Sequence, residues 1–168
     1  MKALIFDLDQ TLVDTEKIEP LRRAHNWRSI STNISKIAPY DGIGRVLSIT
    51  MEKNIKLAIV SSGPSCYVQQ IVRHFDWSFD EIVCYHDSVN HKPHPDPFIE
   101  VSNRLLLPPK DCWTVGDDAI DIIAAKAAGM YTIGALWGSL NKDSLKNSNP
   151  DITLETVESL LNIIQDQR

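Results

Sequence analysis

Short apolar runs alternate with segments whose apolar residues recur at helical spacing, from one end of the chain to the other. The runs over 3–6, 56–60, 81–85, 112–115 and 131–133 predict short buried strands. Helix starts and stops are written between them. Asp41 is placed to cap a helix over 42–53. Pro64 suits the first turn of a helix over 64–75, and Pro95 or Pro97 opens one over 95–106 that Pro108-Pro109 closes. The Ala-rich segment 119–128 predicts a helix ending at Gly129. Val157, Leu160, Leu161 and Ile164 fall at i, i+3, i+4 and i+7, the pattern of an amphipathic helix docked on a core. Such alternation predicts an α/β fold of βαβ units around a mostly parallel sheet. Residues 15–39 are polar and charged, and predict one short helix and a loop.

The length of 168 residues is that of one domain over 1–168, able to bury a core without staples. Hydrophobic content of 43% and charged content of 23% are those of a soluble globular protein. A net charge of -5 with no basic stripe argues against bulk attraction to nucleic acid or to an anionic membrane. No apolar run is long enough for a leader or a membrane span. Cys66, Cys84 and Cys112 form no C-x-x-C pair, and read as reduced core thiols of a cytoplasmic protein. Trp27 or Trp77, if exposed, would mark a homo-oligomer interface, although aromatics in a domain of this size are more often core.

Candidate chemistry sits where predicted strands end. Asp7-Leu8-Asp9-Gln10-Thr11-Leu12 follows the first strand, and a carboxylate there projects into the crevice where parallel sheets bind ligands. Two close acids repel until a cation or a proton relieves them. Alone, the segment reads equally well as a turn with solvated acids. Ser61-Ser62-Gly63 ends the second strand before a helix, offering a hydroxyl and free N–H groups to an oxyanion, or a simple cap. In His91-Lys92-Pro93-His94-Pro95, Pro93 keeps Lys92 extended and able to reach inward. The plainer alternative is an exposed loop lysine, and His91 and His94 are loop residues rather than metal ligands. Gly116-Asp117-Asp118 ends the 112–115 strand, with Asp121 one helical turn beyond Asp117. Carboxylates with water suit Mg²⁺, and acids at a helix start also complement its dipole.

Taken together, the four strand ends resemble the haloacid dehalogenase-like phosphatases. D-L-D-Q-T-L is similar to their D-x-D-x-T motif, Ser61 to their second-motif hydroxyl, Lys92 in K-P-H-P to their lysine, and G-D-D-A-I-D to their acidic fourth motif. G-A-L-W-G at 134–138 and the closing helix extend the likeness over nearly the whole chain. The resemblance implies a Rossmann-like three-layer sandwich with a very reduced cap. It implies Asp7 as nucleophile and Asp9 as acid and base. Ser61, the Ser62 N–H and Lys92 would bind phosphoryl oxygens. Mg²⁺ would be held by Asp7, Asp117 and the Asp9 carbonyl, with Asp118 and Asp121 acting directly or through water. Thr11 would order the turn.

Asp9 disfavours the dehalogenase branch, which lacks that acid. A phosphomutase or phosphotransferase of the same family shares all four motifs, but depends on a substantial cap. Residues 15–39 are too short for a helical cap domain, so the site is expected to be open and to admit a bulky phosphorylated substrate. A non-catalytic phosphate-binding module of the receiver kind is a further alternative. Its acid pair precedes a separate phosphoacceptor, whereas here D-x-D comes first and the acid cluster last.

Overall fold

Every residue of β1 (Ala3–Phe6) is apolar and buried, because both of its faces are covered. A computed structural model describes residues 1–167. After β1 come the two-residue strand β2 (Val13–Asp14), helices α1 (Glu19–Arg23) and α2 (Trp27–Asn33), and β3 (Ala38–Pro39). Next follow α3 (Ile43–Glu52), β4 (Lys56–Val60), α4 (Ser65–His74), β5 (Glu81–Val83) and α5 (Asp96–Arg104). The chain closes with β6 (Cys112–Gly116), α6 (Ala119–Ala127), β7 (Tyr131–Ala135), α7 (Lys142–Asn147), β8 (Ile152–Leu154) and α8 (Val157–Asp166).

Six strands form one parallel sheet in the order β5-β4-β1-β6-β7-β8. Side chains alternate across it with period two. Leu4, Phe6, Leu57 and Ile59 pack against α3, α4 and α8 on one face. Ala3, Ile5, Ala58 and Val60 pack against α5 and α6 on the other. The Val157, Leu160, Leu161 and Ile164 stripe of α8 is buried. Since the chain first runs outward from β1 through β4 to β5, then returns to β6 on β1's other side, the strand order reverses at β1. A crevice opens there at the carboxyl ends. No helix among the described residues is long and apolar enough to cross a membrane.

Several predicted boundaries shift for local reasons. Asp41 does not cap α3; that position is taken by Gly42, whose φ of 89° lies in the left-handed region glycine tolerates. The 81–85 strand stops at Val83, because the Asp87 carboxylate accepts the Cys84 N–H at 2.7 Å and turns the chain. α5 ends early, with Leu106 in the left-handed region. β8 is too brief, and α7 too brief and polar, to show in the apolar pattern. Cys84 and Cys112 are buried, but Cys66 is exposed, so only two of the three thiols belong to the core. Trp27 and Trp77 are half-buried and pack on the larger core.

Residues 15–39 hold more structure than one helix and a loop. β2 and β3 pair antiparallel at the base of the segment, and α1 and α2 lie between them. α1 buries none of its residues, while Ile18 and Ile30 on either side of it anchor the segment to the core.

Candidate active site

The chain leaves β1 at Asp7, whose N–H still bonds the Val115 carbonyl at 2.9 Å, and then folds back on itself. Leu8, Leu12 and Val13 are fully buried and pin this turn to the core. Gln10 takes a left-handed φ of 63°, and its Oε1 accepts the Tyr40 hydroxyl at 2.6 Å. The Trp137 indole donates to the Thr11 carbonyl at 3.0 Å. Gly138 lies so close to the turn that a Cβ there would fall 1.7 Å from the Gln10 carbonyl oxygen. Only glycine permits that approach, which gives the 134–138 segment a physical role.

The Lys92 side chain is 2% exposed and uses all three of its protons. It donates to Asp7 Oδ1 at 2.8 Å, to Asp121 Oδ1 at 2.6 Å and to the Val60 carbonyl at 2.7 Å. Thr11 donates to Asp117 Oδ1 at 2.8 Å, tying the end of β6 to the turn after β1. Asp7, Asp117 and Asp121 each present a carboxylate oxygen within 4.8 Å of the other two.

Not every sequence-predicted residue faces the same way. Asp7, Asp9, Ser62, Asp117, Asp118 and Asp121 all line one cavity of about 200 Å³. Ser61 and Lys92 line a narrow crevice beside it. The buried Ser61 Oγ accepts the Gly63 N–H at 3.0 Å, while Ser62 is exposed. Asp118 caps α6, its carboxylate accepting the Ile120 N–H at 3.2 Å, and Asp121 reciprocates by accepting the Asp118 N–H. His91 stacks on Tyr85, and His94 pairs with Asp96.

Sequence reasoning missed two groups that grip Asp9. Tyr67 of α4 donates its hydroxyl to Asp9 Oδ1, and Arg22 of α1 meets Asp9 Oδ2 at 2.9 Å. Arg22 also bonds Glu19 at 2.6 Å and Thr15 at 3.2 Å. The Glu19, Arg22 and Arg23 spacing reads as ordinary helix-surface pairing, and Tyr67 reads as core, so neither carried a signal of its own.

Electrostatics follow burial. Desolvation raises the Asp7 carboxyl, with Lys92 opposing and Asp9 adding. Asp117 is pushed up to about 9, first by burial and then by Asp7 and Asp121. Asp121 is pushed up to about 6 by burial, against the pull of Lys92. Burial raises Asp9 too, against Arg22 and Tyr67. Burial works against the Lys92 ammonium, but Asp121 and Asp7 more than offset it and hold its pKa above the ordinary value. Buried acids this close, with one lysine among them, carry surplus negative charge that a divalent cation would relieve. All three donors are carboxylate oxygens, the ligands a small hard cation takes.

A family model described as haloacid dehalogenase-like hydrolase matches residues 18–135. The phosphoglycolate phosphatase of Shigella boydii is 31% identical over 158 residues, which are 92% of this chain and 62% of that protein. The phosphoglycolate phosphatase of Escherichia coli is 31% identical over 121 residues, 71% of this chain and 48% of that protein. The chain thus spans about half to three fifths of the length of these relatives. Among solved structures, a HAD phosphatase from Thermococcus onnurineus superposes with a TM-score of 0.82 at 20% identity, covering 100% of both chains. A hydrolase from Pseudomonas syringae superposes with a TM-score of 0.85 at 19% identity, again over 100% of both. At these identities the two structures show the fold.

Proposed function

The chain belongs to the haloacid dehalogenase-like hydrolase family, and from that premise we propose that it is a Mg²⁺-dependent phosphomonoester hydrolase working through an aspartyl-phosphate on Asp7. One observation carries the reading: Asp7 ends β1 in contact with Lys92 and within 4.8 Å of the Asp117 and Asp121 carboxylates. A nucleophile, a cation and a set of acids from three separate strand ends have no structural need to meet there.

Asp7 attacks phosphorus in line, forming a carboxyl–phosphate bond as the ester P–O bond breaks. Asp9 gives its proton to the departing alkoxide. Its burial, which favours the protonated form, supports that assignment. Asp9 then takes a proton from water, which attacks phosphorus, releases inorganic phosphate and restores Asp7. Lys92, whose three protons are committed to Asp7, Asp121 and the Val60 carbonyl, favours the ionised form of Asp7 and offsets phosphoryl charge through space, while Ser61 and the Ser62 N–H hold phosphoryl oxygens. Asp7, Asp117 and the Asp9 carbonyl would hold Mg²⁺, with Asp121 and Asp118 acting through water, since each of those two carboxylates already accepts a backbone N–H. Bound there, the ion screens the repulsion between an anionic nucleophile and an anionic phosphate.

Phosphotransfer to a second substrate requires water to be held off between the two half-reactions. The cavity over Asp7 shares Glu19, Arg22 and Ser62 with a larger groove, which favours hydrolysis and leaves room for a sizeable leaving group. Release of inorganic phosphate from p-nitrophenyl phosphate tests the reading. Activity should appear with Mg²⁺ and stop with a chelator, and a rate indifferent to metal would count against it.

A further inference from the structure

Beside the acid cavity lies a groove of about 500 Å³, within the range of small-molecule sites. Its aromatic lining comes from two parts of the chain far apart in sequence. His25 and Trp27 of the 15–39 segment, stacked at 5.7 Å and 12°, line it from one part of the chain. Tyr85 and His86, from the turn after β5, line it from another. Ser62, Gly63 and Pro64 lie between them, at the opening of α4. Tyr85 is held by His91, stacked beneath it at 3.8 Å, yet remains 42% exposed. A ring held from one side and open on the other, in a groove that two more rings also line, offers a stacking surface for a planar partner. Arg22 and Arg23 stand along the same groove, Arg22 paired with Asp9 and Glu19 and Arg23 with Glu19, so the aromatic rings rather than net charge set what the groove prefers.

We propose that this groove binds the leaving group, and that the preferred substrates are phosphomonoesters of alcohols bearing a planar heteroaromatic ring, such as nucleoside monophosphates. The inference deepens the phosphatase reading and rests on it: the shared Ser62 and Arg22 place the groove where an ester oxygen would depart from a phosphate over Asp7. A ring on that alcohol reaches the aromatic lining, and a compact alcohol such as glycolate or glycerol does not.

The test compares adenosine and uridine 5′-monophosphates, pyridoxal 5′-phosphate, 2-phosphoglycolate and glycerol 2-phosphate. Stacking on one aromatic side chain corresponds to about tenfold to a hundredfold in binding. Turnover (kcat/KM) should favour the ring-bearing esters by at least that margin, chiefly through KM. Tyr85→Ala should erase the preference while leaving glycerol 2-phosphate hydrolysis unchanged, and Tyr85→Phe should keep it. Preference for the nucleotides alone would narrow the class to nucleosides, and equal preference for pyridoxal phosphate would support the ring in general. Equal kcat/KM for compact and ring-bearing esters, or a preference untouched by Tyr85→Ala, overturns the proposal. Calorimetric binding of the same esters to Asp7→Asn separates the two readings. Ring-selective binding without turnover in the parent protein sinks the phosphatase reading alone, and binding without ring selectivity sinks this one.

Discussion

Two regions meet over Asp7, and they are built in opposite ways. Around the carboxyl ends of β1, β4 and β6, Asp9, Ser61 and Asp121 are buried and the one lysine is fully committed: the Lys92 side chain is 2% exposed and bonds three acceptors. The 15–39 segment reaches the same cavity with side chains that keep one end in water. The side chain of Arg22 is 24% exposed and that of Arg23 is 77% exposed. No residue of α1 is fully buried, and its Leu21 only partly packs on the core. Reacting groups must be held within fractions of an ångström, and a sheet edge inside a packed core does that. Groups that accommodate a leaving group tolerate a thinner support. The proposed reacting groups thus sit on the more rigid of the two supports, with Arg22 of the segment reaching across to Asp9.

The largest effect should come from the sheet side. Asp7→Asn should cut phosphate release by about 10⁴-fold or more, as loss of a nucleophile does; a variant retaining a tenth of parental activity would refute the covalent role. Lys92→Met should lower kcat by about 10²-fold to 10³-fold. It should also destabilise the metal-free protein by about 3–5 kcal/mol in urea unfolding, because it strands Asp7 and Asp121 without their cation. On the segment side, Arg22→Ala should cost about tenfold to a hundredfold in kcat/KM, with KM rising more than kcat falls. A collapse of kcat as deep as that of the Asp7 variant would erase the division between the two regions.

The smallest effect is one of pH on the metal-free protein. A carboxyl whose folded-state pKa is raised contributes stability that is full below its unfolded value and is lost as pH rises through the folded one. Asp121 at about 6 and Asp117 at about 9 therefore set a window of falling stability from about pH 4 to pH 9. With chelator, Tm should drop by about 5 °C between pH 6 and pH 9. Mg²⁺ should restore more at pH 8 than at pH 5, because it requires the ionised acids. A chelated protein whose Tm rises across that range would show the acid cluster to be otherwise arranged. Asp80, Asp87 and Asp151 have lowered pKa values and lose their contribution only as pH falls, so they do not act in this window.

Much of this was legible in the chain. The strands at 3–6 and 56–60 stand where the apolar runs put them, because a strand buried on both faces is apolar wherever it is covered, which leaves only the exposed first residue Lys56 polar. Gly129 ends its helix as expected, since a left-handed φ of 84° suits glycine. Asp41 failed as a cap because Gly42, beside it, takes the turn that a side chain would otherwise have stabilised. Arg22 and Tyr67 were illegible for a different reason: each has a common local explanation, and only contact with Asp9 reveals a second one.

The sequence by itself determined the periodicities, the α/β alternation and which residue types end each strand, because those depend on neighbours within a few positions. Tertiary structure alone decided that Lys92 meets an acid 85 positions away, and that Thr11 meets one 106 positions away. It also decided that a polar segment closes over the site as a wall with an arginine. Spacing along a chain carries no distance across a sheet; only the order in which strands pack supplies one.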